Sequence, residues 1–310
     1  MKKLFFSIFA LCMGMCAMAQ SSVYVYQKDG KTLEIPVSNL DSISFTKPVE
    51  PLSGVFSVSA DKTVKFAPGN LQYTQSTKKW EFAANQYEML GLDNVTGGNK
   101  STDATHGYSK YGTALADKID LFGWSANNET AQWGISTSST TSDYSGDFVD
   151  WGKNIGDGAT WRSLTNDEWG YLLNTRSNAA DLKGVARIKL SETEYVNGLI
   201  LLPDSWTLPE GLSFTTGFSS TYSVQAYADY QTITLTDWQK LETAGALFLP
   251  AASYRDGTDV YSVQDRGNYF SATSRDTNYA YILYFDSSRA IADSYKISMG
   301  RAVRLVQDVE

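Results

Sequence analysis

Residues Trp161–Leu173 read WRSLTNDEWGYLL, and the fold is decided in this stretch. The hydroxyl of Thr165 can accept from the free backbone N–H of Glu168, and the Glu168 carboxylate can reach back to the Thr165 N–H. Leu164 before the cap and Trp169 inside it form a hydrophobic staple, and Trp169, Leu172 and Leu173 share one helical face. The pattern predicts a short amphipathic helix that later strands must cover. Asp167 and Glu168 are explained there as favourable charge at a helix N-terminus.

Downstream, Gly184–Leu190 (GVARIKL) and Val196–Leu202 (VNGLILL) read as strands. The second is almost continuously apolar and is expected to be central, buried on both faces. Thr236-Asp237-Trp238-Gln239 repeats the capping logic and predicts a second short helix carrying Trp238 and Leu241. Ala246–Leu249 is a further buried strand, ended by Pro250. Tyr261–Val263, Gly267–Thr273, Tyr279–Phe285 and Arg301–Val306 are separated by Asp, Asn, Gly and Ser turns, the spacing of an antiparallel meander. Upstream, Phe56, Val58, Val64 and Phe66 alternate with polar residues as a half-buried strand pair. Leu71–Tyr73 and Trp80–Phe82 suggest a hairpin, and Asn85–Leu92 a short helix. Gly97–Gly158 is rich in Gly, Ser, Thr, Asn and Asp, which predicts an Ω-like excursion pinned by Trp124, Trp133 and Trp151.

The chain has 310 residues, 42% hydrophobic and 13% aromatic, a composition that favours strands. Its first 19 residues read as a secretory signal peptide: Lys2 and Lys3, an apolar run from Leu4 to Cys16, then Ala17-Met18-Ala19 before Gln20. Cys16 offers a lipoprotein alternative, ranked second because Met13-Gly14-Met15 is a poor lipobox. Both cysteines fall in the removed piece. The mature chain then has no disulfide, thiolate metal site or cysteine nucleophile. The formal charge of −8 becomes −10 when the two lysines leave, which argues against nucleic acid or an anionic membrane surface as partner. The apolar run is too short for a membrane span.

Residues 20–46 predict a small β-hairpin unit: Val23–Tyr26, a turn at Lys28–Lys31, and Thr32–Val37, then one helical turn at Ser38–Asp41 and a strand at Ile43–Phe45. The pattern resembles a leader of exported Bacteroidetes proteins. Asp41-Ser42-Ile43 also fits a short O-glycosylation pattern of that group, with an ordinary turn as the simpler reading. Residues 47–53, with Pro48 and Pro51, form the linker to a main domain spanning 54–310.

Several motifs occur in a familiar order: Trp161–Thr165 with Glu168-Trp169, Gly198–Trp206, Phe248–Ala252, Tyr269–Thr273 and Gly300–Val306. Together they resemble the Fibrobacter succinogenes major paralogous domain and its exported relatives. The resemblance implies an α+β, C-type lectin-like fold: a mixed, mostly antiparallel sheet with two short helices and long loops. It is unspecific for activity. The calcium triplets of sugar-binding lectins are missing, Leu202-Pro203-Asp204 being a partial echo. The copper-binding cysteine pair of the formylglycine-generating enzymes, which share that fold, is missing too.

No reaction is spelled out by the remaining residues. His106 stands alone in a Gly/Thr-rich loop and cannot build the usual zinc sites. Asp143, Asp147, Asp150 and Asp157 could chelate calcium, with a solvated turn cluster as the default reading. Arg301 and Arg304 alternate with apolar residues in the last strand and need partners if buried, an acid such as Glu168 being the expected one. Tyr254, Arg255 and Asp256 at one loop tip and Arg275 at another, with Trp124 and Tyr144, are the candidate ligand contacts. The expected function is an exported, non-enzymatic module, secreted, on the cell surface or in the periplasm, binding glycan or protein. The alternatives are a structural or adhesive component of a surface assembly and a cysteine-free hydrolase using carboxylates.

Overall fold

The computed structural model describes residues 22–39, 49–89, 100–101, 118–156, 160–219, 231–257 and 259–309. The proposed signal peptide, the Ile43–Phe45 strand, Asp41-Ser42-Ile43, His106 and Asp157 lie outside them. Contacts divide the chain into two compact units, Met1–Thr46 and Lys47–Glu310.

In the first unit β1 (Ser22–Tyr26) pairs antiparallel with β2 (Thr32–Pro36), Val23 opposite Ile35 and Tyr26 opposite Thr32. Gly30, at φ +84°, takes the left-handed position that the turn requires. A single 3₁₀ turn follows at Val37–Asn39.

The second unit is α+β. Its strands are β3 (Phe56–Ser57), β4 (Thr63–Phe66), β5 (Leu71–Thr74), β6 (Lys79–Phe82), β7 (Lys100–Ser101), β8 (Lys118–Ile119), β9 (Lys183–Lys189), β10 (Tyr195–Leu201) and β11 (Gln231–Thr234). They continue with β12 (Leu247–Pro250), β13 (Tyr254–Asp256), β14 (Asp259–Tyr261), β15 (Gly267–Ser274), β16 (Tyr279–Asp286), β17 (Arg289–Lys296) and β18 (Val306–Asp308). The helices are α1 (Asn166–Asn174) and α2 (Leu235–Thr243).

One continuous sheet was expected; instead the described strands are shared among several short sheets. The largest is ordered β11-β9-β10-β12, antiparallel except for the β11–β9 pair. Its interior strand β10 carries Leu199, Ile200 and Leu201, all fully buried, as its apolar run predicts. The β15-β16-β17 meander forms a second sheet, with a register shift between Phe270 and Ser274. The last segment departs from expectation. Only Val306–Asp308 pairs as a strand, against β4, while Arg301 and Ala302 make isolated bridges to Phe122 and Tyr269. Asn85–Met89 forms turns rather than a helix, its side chains being spent on local and tertiary hydrogen bonds: Asn85 donates to Glu88, and Gln86 to Glu242 and the Ala246 carbonyl.

Both halves of the α1 capping box form: the Glu168 N–H donates to Thr165 Oγ1 at 3.2 Å and the Thr165 N–H to Glu168 Oε2 at 2.8 Å. Trp169, Leu172 and Leu173 are buried, and α1 packs against β3 and the β15–β17 meander. The second helix starts two residues earlier than the sequence pattern suggests. Thr234 is its cap, because its hydroxyl sits three residues before the Asp237 N–H and accepts from it at 3.1 Å.

Glu168 also receives two 2.8 Å hydrogen bonds from Arg162, whose Nη2 reaches Asp308 at 2.6 Å. Burial opposes ionisation of Glu168, but Arg162 and the Thr165 N–H outweigh it and hold the carboxyl below its usual range. Arg162 does the same for Asp308 against weaker burial. Both pKa values are lower folded than unfolded. Their contribution is therefore complete above the unfolded values, about 4.3 for Glu and 3.9 for Asp, and is lost as pH falls through the folded ones. Melting temperatures of wild type and Glu168→Gln are expected to differ at neutral pH and to converge in acid. A gap that stays constant with pH would contradict this.

Gly198 lies where β10 crosses Phe248. A Cβ there would stand 2.4 Å from Phe248 Cζ and 2.5 Å from the Leu249 carbonyl oxygen. Gly198→Ala is expected to lower stability by about 1–3 kcal/mol through overpacking, read by urea unfolding.

Candidate functional site

Among the described residues of the second unit four arginines are buried, and three have every guanidinium nitrogen bonded. Arg176 donates to the Leu172 and Leu182 carbonyls and to Asp204. Arg255 donates to the carbonyls of Leu121, Gly257 and Ser136. Arg304 donates to Asn70 Oδ1 at 3.0 Å and to the carbonyls of Ala67, Gln86 and Phe248 at 3.3, 3.1 and 3.2 Å.

Arg301 is the exception. It is 1% exposed, and among the described residues neither Nε nor Nη1 has a hydrogen-bond partner. Nη2 has only the Met299 sulfur, at 3.8 Å, a weak acceptor. Three rings surround the cation: Tyr295 at 4.9 Å, and Tyr254 and Phe270 at 5.7 Å each. Desolvated cation–π contacts contribute up to about 2 kcal/mol but leave the N–H groups unbonded. Burial pushes its pKa down to about 10, with Tyr295, Tyr254 and the more distant carboxylates of Asp293 and Asp256 resisting, so the side chain is charged at neutral pH. Leaving such a charge unpaired costs on the order of several kcal/mol.

The position of Arg301 is fixed by its backbone. Its N–H and carbonyl exchange hydrogen bonds of 2.7 and 2.8 Å with Phe122. Gly300 exchanges two of 2.8 Å with Arg255 on β13, and the Ala302 N–H donates to the Asn268 carbonyl on β15. This convergence builds a pocket of about 100 Å³ lined by Tyr254, Arg266, Asn268, Tyr284, Tyr295, Met299 and Arg301. Water takes about 30 Å³ per molecule in the liquid, so there is room for several waters or one small polar group. Arg266 is already paired with Asp265 at 3.3 Å. The Tyr284 hydroxyl donates to Asp286 at 2.8 Å, and burial with that bond raises its pKa.

The chain matches no family model, no curated protein and no solved structure.

The candidates named from sequence separate into three groups. Tyr254 lines the pocket, on strand β13 rather than at a loop tip, stacked on Tyr261 at 5.4 Å. Asp256 ends the same strand, half-buried. Trp124, Tyr144 and Arg255 are interior and serve packing. Trp124 meets Phe148 and Phe270 at 4.7 and 5.5 Å, and Tyr144 donates to the Ser136 and Ser138 carbonyls. Arg275 is exposed at the β15–β16 turn, lying over the Tyr279 ring at 4.3 Å and bonded to Asp276 and Ser294.

The carboxylate expected for Arg301 and Arg304 is not there: Glu168 is held by Arg162 and Lys62, and Arg304 is satisfied by carbonyls and one amide. Asn268 and Tyr284 were missed because they sit in strands that read as core, and Tyr295 and Met299 because no element was expected over residues 286–300, where the structure has strand β17. The signal available was a set of tyrosines interrupting apolar strands next to an arginine with no acid near it in sequence. Among the described residues no group of three or more His, Cys, Asp or Glu is placed to hold a metal ion. Asp150 caps a 3₁₀ turn instead, accepting from the N–H groups of Gly152 and Ser163. Among the described residues no helix is long and apolar enough to cross a membrane.

Proposed function

We propose that the chain is an exported, non-enzymatic binding module of C-type lectin-like fold, secreted or held at the cell surface, that takes a glycan or protein ligand. The observation that carries this reading is the Arg301 pocket, where a fixed, charged and hydrogen-bond-starved guanidinium faces tyrosine walls. A protein retains so costly an arrangement where a ligand completes it. The fold assignment draws on the capped α1 beside the antiparallel meander and on the motif order. No carboxylate lines the pocket, so the hydrolase alternative finds no support at this place.

Glycan and protein arrays probed with the purified chain test the reading. Binding to at least one class, lost on Tyr295→Ala, is expected; silence on both arrays would overturn it.

A second reading, attachment through the N-terminal hairpin to a surface assembly, is favoured by one observation: Tyr24, Val25, Tyr26, Leu33 and Val37 are exposed there, Tyr26 by 80%. Deleting residues 23–45 should then release a co-purifying partner while leaving the array signal in place.

A further inference from the structure

We infer that the pocket receives the carboxylate of a uronic acid, with Arg301 as its anion donor and Met299 as the group it displaces. This rests on the binding-module reading and narrows it.

The neighbouring arginines show that this core can saturate a guanidinium without a carboxylate: Arg255 has three backbone carbonyls, and Arg304 three carbonyls and the Asn70 amide oxygen. At Arg301 no oxygen is supplied among the described residues. A guanidinium is matched by a planar carboxylate, which accepts two parallel N–H bonds at once. The only acceptor now in place is a thioether, flexible and weakly bound, which a carboxylate can replace by a change of side-chain rotamer.

The walls narrow the class further. Tyr254, Tyr284 and Tyr295 line the pocket with ring carbons and hydroxyl groups beside the Asn268 amide, Tyr284 stacked on Tyr295 and Tyr254 on Tyr261. That surface suits a ligand with C–H faces and hydroxyl rims, such as a sugar ring. The chain is acidic, −8 in full and −10 without Lys2 and Lys3, and repels polyanions at long range, so a ligand carrying a single carboxylate is preferred over a polyuronate or a phosphorylated one. The volume of about 100 Å³ admits the carboxylate and adjacent ring atoms, with the rest of the sugar outside.

Calorimetric titration of the purified full chain with glucuronate, glucose and N-acetylalanine tests the inference. Glucuronate is expected to bind at least about 10-fold more tightly than glucose, because a buried donor rejects a ligand lacking the matching acceptor. Arg301→Gln should abolish that preference. Arg301→Lys, which keeps the charge and loses the fork, should reduce it. Met299→Ala should bind glucuronate at least as well as wild type. If Arg301→Gln does not melt cooperatively, displacement of glucuronate from wild type by acetate but not by acetamide supplies the same readout.

Glucose binding as tightly as glucuronate would overturn the carboxylate assignment and leave the binding module standing. N-acetylalanine binding more tightly than glucuronate, with the same dependence on Arg301, would replace the sugar by a peptide terminus. No heat from any of the three, with a positive array, would remove the pocket inference alone; silence on the arrays as well would remove both.

Discussion

Arg304→Met is expected to destabilise the protein by about 3–5 kcal/mol, whereas Arg301→Met, three residues away and equally buried, should leave stability within about 1 kcal/mol of wild type or raise it. The two guanidinium groups differ only in what they touch. Arg304 ties together the Ala67, Gln86 and Phe248 carbonyls and the Asn70 side chain, linking the β4–β5 turn to β12. Its removal strands those acceptors in a dry core, and each buried unsatisfied polar group costs about 1–3 kcal/mol. Arg301 bonds to no oxygen, so its removal strands nothing and relieves a desolvated charge. Ring contacts are all that methionine forfeits, and methionine packs well against rings. Chemical unfolding of both variants at one pH decides the matter. Equal losses would mean that Arg301 is structurally bonded and not held for a ligand.

The second large effect is expected at Trp151, where substitution by alanine should cost about 3–5 kcal/mol. The indole is fully buried, stacks on Phe270 at 5.8 Å and meets Trp124 and Phe148 edge-on at 6.2 and 5.4 Å. Its N–H donates to the Trp133 carbonyl at 2.9 Å, so truncation also leaves that acceptor unbonded. The site cannot collapse readily. Gly152, next in sequence, already sits so close to Trp161 that a Cβ would fall 1.9 Å from its carbonyl oxygen. Loss of near-ultraviolet dichroism with retained far-ultraviolet signal, alongside the lower unfolding midpoint, would identify the aromatic cluster as the part that loosens. A loss below about 1 kcal/mol would show that residues 122–155 are not anchored through this cluster.

The elements legible in the sequence are those specified by local chemistry. The α1 cap needs only Thr165 and Glu168 three residues apart, and β10 needs only an apolar run long enough for a two-sided strand. The β1–β2 hairpin needs a turn with glycine between alternating residues. Aromatic pegs in residues 118–156 were also readable, although Trp124 was named as a ligand contact as well and is instead buried. Illegible were features decided by distant partners. Whether Arg301–Val306 forms a strand depends on Phe122, Tyr269 and Arg162, which bridge Arg301, Ala302 and Val306 and divide its backbone pairing among separate neighbours. Arg301 and Arg304 look equivalent in sequence, two cations in one apolar segment. Their separation into a bonded and an unbonded guanidinium depends on carbonyls from Ala67 to Phe248. The pocket was half visible for the same reason: Tyr254 stood out, Tyr284 was hidden in an expected meander strand, and Tyr295 lay in a strand, Arg289–Lys296, that was not expected.

On the reading proposed above, Arg301 is kept free in the folded chain for an incoming carboxylate. Nitrogen-15 resonance of the arginine Nε–H groups, followed as glucuronate is added, tests it most directly. The account predicts that the Arg301 signal lies at an unbonded position in the free protein and moves to a bonded one with saturation, while Arg255 and Arg304 stay fixed. An Arg301 signal already at the Arg304 position without ligand, or one unmoved at saturating glucuronate, would contradict it.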